Sequence, residues 1–193
     1  TTVNNQSWQP TSFSGGSNNQ ALLNGPDLGQ VNNTTSGPRA DFRFRVNNPG
    51  TYYVWLRGYA KDGVSDSLHV GLNGQLITGG SRVSNFIFDG SQPSWTNRNL
   101  DQVRVSFTVT APGDNTLNLW MREDGLLIDK IILTGDANFT ATGLGPAESA
   151  RVTPSSGNTT PAAITAVNVT NITTSGATIT WNTGEIAPNV KIE

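Results

Sequence analysis

Apolar and polar residues alternate one by one along much of this chain, the period of strands whose two faces meet different surroundings. Phe42, Phe44 and Val46 alternate with Arg43 and Arg45, and Tyr52, Val54 and Leu56 with Tyr53, Trp55 and Arg57. Val103, Val105, Phe107 and Val109 form a third such run, and Leu117, Leu119 and Met121 a fourth, interleaved with Asn118, Trp120 and Arg122. Turn residues close the runs at Asn47-Asn48-Pro49-Gly50, Asn73-Gly74, Ala111-Pro112-Gly113-Asp114-Asn115 and Asp124-Gly125. The Asp124-Gly125 pair predicts a hairpin whose returning strand puts Leu127, Ile131 and Leu133 on one face with Asp129. A carboxylate there is costly unless it is hydrogen-bonded, paired or bound to a metal. With no convincing helical period, the pattern predicts an all-β fold, an antiparallel jelly-roll β-sandwich.

Residues 1–39 are rich in Asn, Ser, Thr, Gly and Gln, with isolated anchors such as Trp8, Phe13, Leu22 and Leu23, and read as short strands and loops over a sandwich edge. Residues 78–100 read mostly as loop. The first domain is expected over 1–148, followed by a Pro/Ser/Gly/Thr linker at 149–161. Residues 162–193, with Ile164–Val169 and Ala177–Asn182 as strands, read as the opening of a second, Ig-like sandwich that needs further chain to bury its faces.

The composition removes several classes. Charged residues are 13% of the 193 and the formal net charge is −2, which gives no footprint for a nucleic-acid backbone or an anionic membrane surface. No apolar run is long enough to span a bilayer, so membrane insertion is not expected. Cysteine is absent, and with it disulfide scaffolds and thiolate metal sites. Asn-X-Ser/Thr triplets at Asn5, Asn32, Asn33, Asn138, Asn158, Asn168 and Asn171 permit glycosylation in a secreted setting, although such triplets also arise by chance. The expected context is an extracellular or cell-surface protein of which this chain is one piece.

Two aromatic groups have chemistry suited to sugars, which offer an apolar C–H face and a rim of hydroxyls. Trp95 with Asn97 and Arg98 is one, on a loop, where the other role for the ring is a plug over the sandwich end. Trp55, Arg57, Trp120 and Arg122, with His69, share strand parity and form a second candidate patch across one sheet face; packed tryptophans flanked by snorkelling arginines are the alternative. Catalytic equipment is poor. A glycosidase needs two carboxyls about 5 to 9.5 Å apart, and Glu123 and Asp124 sit in one turn that should be solvated. Asp66, Ser67 and His69 lack a nucleophile elbow and an oxyanion loop.

Tyr53-Val54-Trp55-Leu56-Arg57, Ser65 through Gly74, Leu119 through Gly125, Asp129-Lys130-Ile131 and Gly143-Leu144-Gly145-Pro146 together resemble non-catalytic carbohydrate-binding modules of the family 6/35-like, galactose-binding-like type. Residues 162–193 resemble the start of a fibronectin type III domain. The resemblance implies a polysaccharide- or glycan-binding module, not an enzyme, attached to other domains of a larger chain. It also implies a structural calcium ion with Asp129 as a ligand, although no acidic pair precedes Asp27 to complete the set. The alternative is a structural or adhesive surface protein, or filament subunit, in which the sandwich packs against neighbouring subunits.

Overall fold

Alternation governs the strands that carry the core. In β4 (Gly50–Tyr59), Val54 and Leu56 are fully buried while Tyr53 and Trp55 on the other face are only half-buried. The structure, a computed structural model, describes residues 1–86 and 92–150, together with the backbone of two strands at 164–170 and 178–183. Thr1–Gly145 and Pro146–Glu193 form separate compact units.

The first unit contains two antiparallel sheets, as the pattern predicts. One is ordered β1 (Ser7–Ser12), β2 (Gln20–Gly25), β10 (Leu127–Thr134), β4 and β7 (Ser94–Thr96), with β8 (Ser106–Val109) also paired to β4. The other is ordered β3 (Arg39–Val46), β9 (Gly113–Met121), β5 (Leu68–Leu72) and β6 (Gln75–Leu76). Val54, Leu56, Leu68, Val70, Val105, Leu117, Leu119 and Ile128 are buried together as the core, with Phe44, Tyr52 and Phe107 ring against ring at its edge. Asn73-Gly74 closes the β5–β6 hairpin as expected, both residues having positive φ.

Three local expectations change. Asp124-Gly125 does not close a hairpin, because β9 and β10 lie in different sheets and the turn carries the chain from one to the other. Gly125, at φ 88°, supplies the reversal, but the turn's hydrogen bonds go elsewhere: Gly125 N–H donates to Asn24 O at 2.8 Å and Asp124 N–H to Gln30 O at 3.3 Å. Next, the register of β10 shifts between Ile128 and Lys130, a bulge centred on Asp129. Leu126 and Ile128 pack inward before it and Ile131 and Leu133 after it, so Asp129 does not share their face. Lastly Val103, expected inward, precedes β8 and is 43% exposed.

In the second unit β11 (Ile164–Thr170) pairs antiparallel with β12 (Thr178–Thr183), with a register shift between Thr165 and Asn168. Asn158, Asn171 and linker positions 151–161 lie outside the described residues, as do the side chains of Asn168 and Trp181. No helix among the described residues is long and apolar enough to cross a membrane.

Candidate functional site

β4 sets the site because its inward residues belong to the core and its outward ones do not. Trp55, outward from β4, meets Phe139 edge-on with ring centroids 6.3 Å apart. The two rings help to line a pocket of about 260 Å³ whose other walls are Asn97, Arg98, Arg104 and the 137–140 segment. Arg104 lies over the Tyr53 ring at 3.9 Å and donates from Nη1 to Ala137 O at 2.6 Å, so it bridges β4 and the 137–140 segment. Arg98 is exposed and donates from Nη1 to Gln102 O at 2.6 Å. The buried Trp55 Nε1 and Arg104 Nε atoms have no hydrogen-bond acceptor among the described residues.

The pocket draws members from both aromatic groups named in the sequence: Trp55 from one, Asn97 and Arg98 from the other. Arg104, Asn138 and Phe139 complete it. Arg104 had a legible signal, since its place between Val103 and Val105 gives it outward parity. Phe139 had none beyond its sequon, Asn138-Phe139-Thr140, whose exposed Asn138 is a pocket wall.

Trp95 is directed elsewhere. Its Nε1 donates to Gly143 O at 3.0 Å, and a Cβ at Gly145 would lie 2.8 Å from its ring, so the absence of a side chain at 145 lets the two close together. It is half-buried beneath that segment, the plugging position.

The expected patch of Trp55, Arg57, His69, Trp120 and Arg122 divides, because β4 belongs to one sheet and β5 and β9 to the other. Arg57 is buried and ion-paired with Asp129, whose carboxylate also accepts from Ser17 N–H and Ser17 Oγ. Trp120 is 3% exposed, with the Arg39 guanidinium 5.9 Å from its ring centroid. A Cβ on Gly71 would collide with that ring. Arg122 pairs with Glu123 and donates to Ser67 Oγ at 2.6 Å. Near Trp120, β3, β9 and the Asn73-Gly74 turn form a polar trough of about 370 Å³ walled by Arg39, Asp41, Arg43, Asn73, Thr116 and Asn118. Burial pushes Asp41 up, but hydrogen bonds from Asn118 and Arg39 outweigh it and hold the carboxyl below its usual value.

Glu123 and Asp124, expected to be solvated, are both buried. Asp124 accepts from Gln6 Nε2 and Leu28 N–H at 2.6 Å each and from Gln30 N–H at 3.1 Å, and so holds the N-terminal segment. Glu123 accepts from Ser67 Oγ at 2.6 Å and from Asp66 N–H at 3.2 Å, which sets the two carboxyls side by side. Burial, reinforced by Glu123, pushes Asp66 up to about 6. Two carboxyls this close, one drawing the other upward, leave no room for a sugar between them. His69 is held below its usual value by burial; Arg82 N–H donates to its Nδ1 at 3.2 Å, which leaves Nε2 to donate to Asn32 O at 3.1 Å.

Asp129 does not fit a calcium ligand in this structure. A calcium ion takes six to eight oxygens, whereas Asp129 faces a guanidinium and an N–H, and no group of three or more His, Asp or Glu among the described residues is placed to hold a metal. Of the described sequons, Asn5 and Asn33 are exposed like Asn138, while Asn32 is half-buried.

Comparison with known proteins adds a family. The uncharacterized protein P23 of Formosa agariphila is 29% identical over 111 residues, 54% of this chain and 27% of that protein. The chain thus spans about a quarter of that relative's length. Among solved structures, a Podospora anserina GH26-CBM35 β-(1,4)-mannanase has a TM-score of 0.47 at 16% identity, covering 69% of this chain and 26% of that one. A Paenibacillus xanthan lyase has a TM-score of 0.48 at 16% identity, covering 88% and 15%. Residues 1–148 match the glycosyl hydrolase family 115 C-terminal domain, and the chain belongs to that family of carbohydrate-associated domains.

Proposed function

We propose that residues 1–148 are a non-catalytic carbohydrate-binding module of an exported multidomain protein, and that the Trp55 pocket is where it holds a polysaccharide. One observation carries the reading: an indole, two amides and two guanidinium groups, from strands and loops far apart in sequence, converge on a single pocket. That set supplies a ring for stacking on a sugar's C–H face and planar donors for its hydroxyls. The family is a domain of glycosyl hydrolases, and the contact between Asp66 and Glu123 supports a binding rather than a cleaving role. In this reading the module keeps a neighbouring catalytic domain or the cell surface close to its polysaccharide, and residues 162–193 begin a fibronectin type III spacer.

Affinity electrophoresis of the full chain through gels containing a panel of polysaccharides tests this. At least one polymer retards the chain, and Trp55→Ala, folded by circular dichroism, runs freely through it. Equal retardation of Trp55→Ala and wild type removes the pocket from the reading.

A structural or adhesive role is the second reading. It is favoured by Leu28, Val31 and Val64, 60%, 51% and 69% exposed on loops that flank the 123–125 turn. Self-association that rises with concentration and is lost in Val64→Ser supports it; a monomer at all concentrations counts against it.

A further inference from the structure

The edges of the two sheets are not alike. β1 carries Pro10, which removes a ladder donor, β6 is two residues long, and β7 and β8 are three and four. Each is a poor template for a further strand. β3, at the end of the second sheet, differs: it runs eight residues, contains no proline and keeps an unbroken register with β9 from Arg39 to Val46. No described strand pairs with its other side.

Hydrogen bonds at the start of β3 show which backbone groups that side displays. Arg39 N–H donates to Thr1 Oγ1 at 2.9 Å and Arg39 O accepts from Thr1 N at 2.7 Å, away from β9. Pro38 O, one residue earlier, accepts from Met121 N–H at 2.9 Å, toward the sheet. Strand backbones alternate in this respect, so the N–H and C=O groups of Asp41, Arg43 and Arg45 point to the free side.

The side chains along this edge select the partner. Asp41 is engaged by Arg39 Nη2 at 2.9 Å and Asn118 Nδ2 at 2.6 Å, and Arg45 by Asp114 at 2.8 Å. Arg43, exposed between them, has no carboxylate partner among the described residues. It also walls the trough of about 370 Å³, which gives a long side chain room to reach it. On the opposite face Phe42 and Phe44 are half-buried against the core. A strand laid alongside β3 therefore meets arginine on one face and phenyl rings on the other. A second copy is a poor occupant, because β3 against β3 gathers three arginines and one aspartate from each chain onto one face.

We infer that β3 is a docking edge for an extended, acidic segment of a separate partner protein, which joins the sheet as a further strand and sets a carboxylate against Arg43. Main-chain hydrogen bonds supply the affinity of such an added strand, and the alternating side chains its specificity. The Trp55 pocket lies on the other sheet and takes no part.

The test pans a phage-displayed library of random nine-residue peptides against the full chain and titrates enriched peptides by fluorescence polarisation. Expected are sequences in which Asp or Glu alternates with β-branched or aromatic residues, bound more weakly as salt rises from about 50 to 500 mM. Arg43→Gln weakens binding about threefold, the scale of an exposed ion pair, and Arg43→Glu weakens it further. Arg82→Gln removes an equal charge elsewhere and leaves binding unchanged. Arg45→Pro deletes a donor on the free side, spares the β9 ladder and abolishes binding, with its melting temperature recorded. N-methylation of alternate peptide residues separates strand addition from charge alone: one alternate set abolishes binding and the other is tolerated. Equal binding by the two methylated sets, or by Arg43→Gln and wild type, overturns the inference, as does enrichment of no peptide or only of peptides without acidic residues. Self-association of the full chain that Arg45→Pro removes puts a second copy on β3 and overturns the acidic partner.

Discussion

Asp66 is the residue whose surroundings most directly set a measurable property. Burial and contact with Glu123 raise its pKa from 3.8 to about 6. A raised carboxyl binds a proton in the folded state that the unfolded chain has already released. The stability it contributes is therefore complete below the unfolded value and is lost as pH rises through about 6. Asp66→Asn should raise the melting temperature near pH 8, where the wild-type Asp66 carboxyl is ionised, and the advantage should shrink toward pH 4; thermal melts across that range decide it. His69 acts in the opposite sense: a base held below its usual value loses stability as pH falls past that value. Trp95 gives a second prediction at this scale. Because its indole packs on Gly145 and bonds to Gly143 O, Trp95→Ala should cost roughly 1–3 kcal/mol in a urea titration, without abolishing polysaccharide binding in folded protein.

At the scale of elements, the turn at 123–125 is held by Asn24. Its Nδ2 donates to Glu123 O at 2.6 Å, its Oδ1 accepts Leu126 N–H at 2.8 Å, and it is fully buried. Asn24→Ala strips both bonds from a buried turn and should destabilise the first unit by about 2–4 kcal/mol, read by urea titration. The strands themselves were legible because side chains alternate wherever one face meets a core, as in β4 and β9. The partner of β10 was not. Asp124-Gly125 permits a reversal within a sheet or between two sheets, and the residue that decides, Asn24, lies about a hundred positions away in a stretch rich in Asn. Parity failed at Asp129 for a related reason: Leu126 to Leu133 is apolar on both faces, so a one-residue bulge leaves no mark in the pattern. Of the site, Trp55, Asn97 and Arg98 were legible as chemistry, but their meeting was not. It depends on β7 pairing beside β4 and on the 137–140 segment lying across them.

For the whole molecule, the Arg57–Asp129 pair does what a bound cation would do in neutralising a carboxylate whose side chain is 0% exposed. Millimolar calcium or a chelator should therefore leave the melting temperature of the first unit unchanged, and a shift of several degrees would reverse this assignment. Arg57→Met leaves Asp129 buried without compensation and should cost about 3–5 kcal/mol, much of which Arg57→Met with Asp129→Leu recovers. Thr1–Gly145 has its own core, so a fragment ending at 148 should melt as one cooperative transition close to that of the full chain's first unit.

The clasp between Trp95 and the 143–145 segment also sets where mechanical load enters this unit. Lys130, in β10, donates to Leu144 O at 2.7 Å beside it, and β10 is flanked by β2 and β4. Tension on the chain beyond Gly145 is shared between the interior strand β10, through Lys130, and the edge strand β7, through Trp95, instead of falling on one rim strand. A module pulled through that point resists peeling, because no single strand at the rim carries the whole tug.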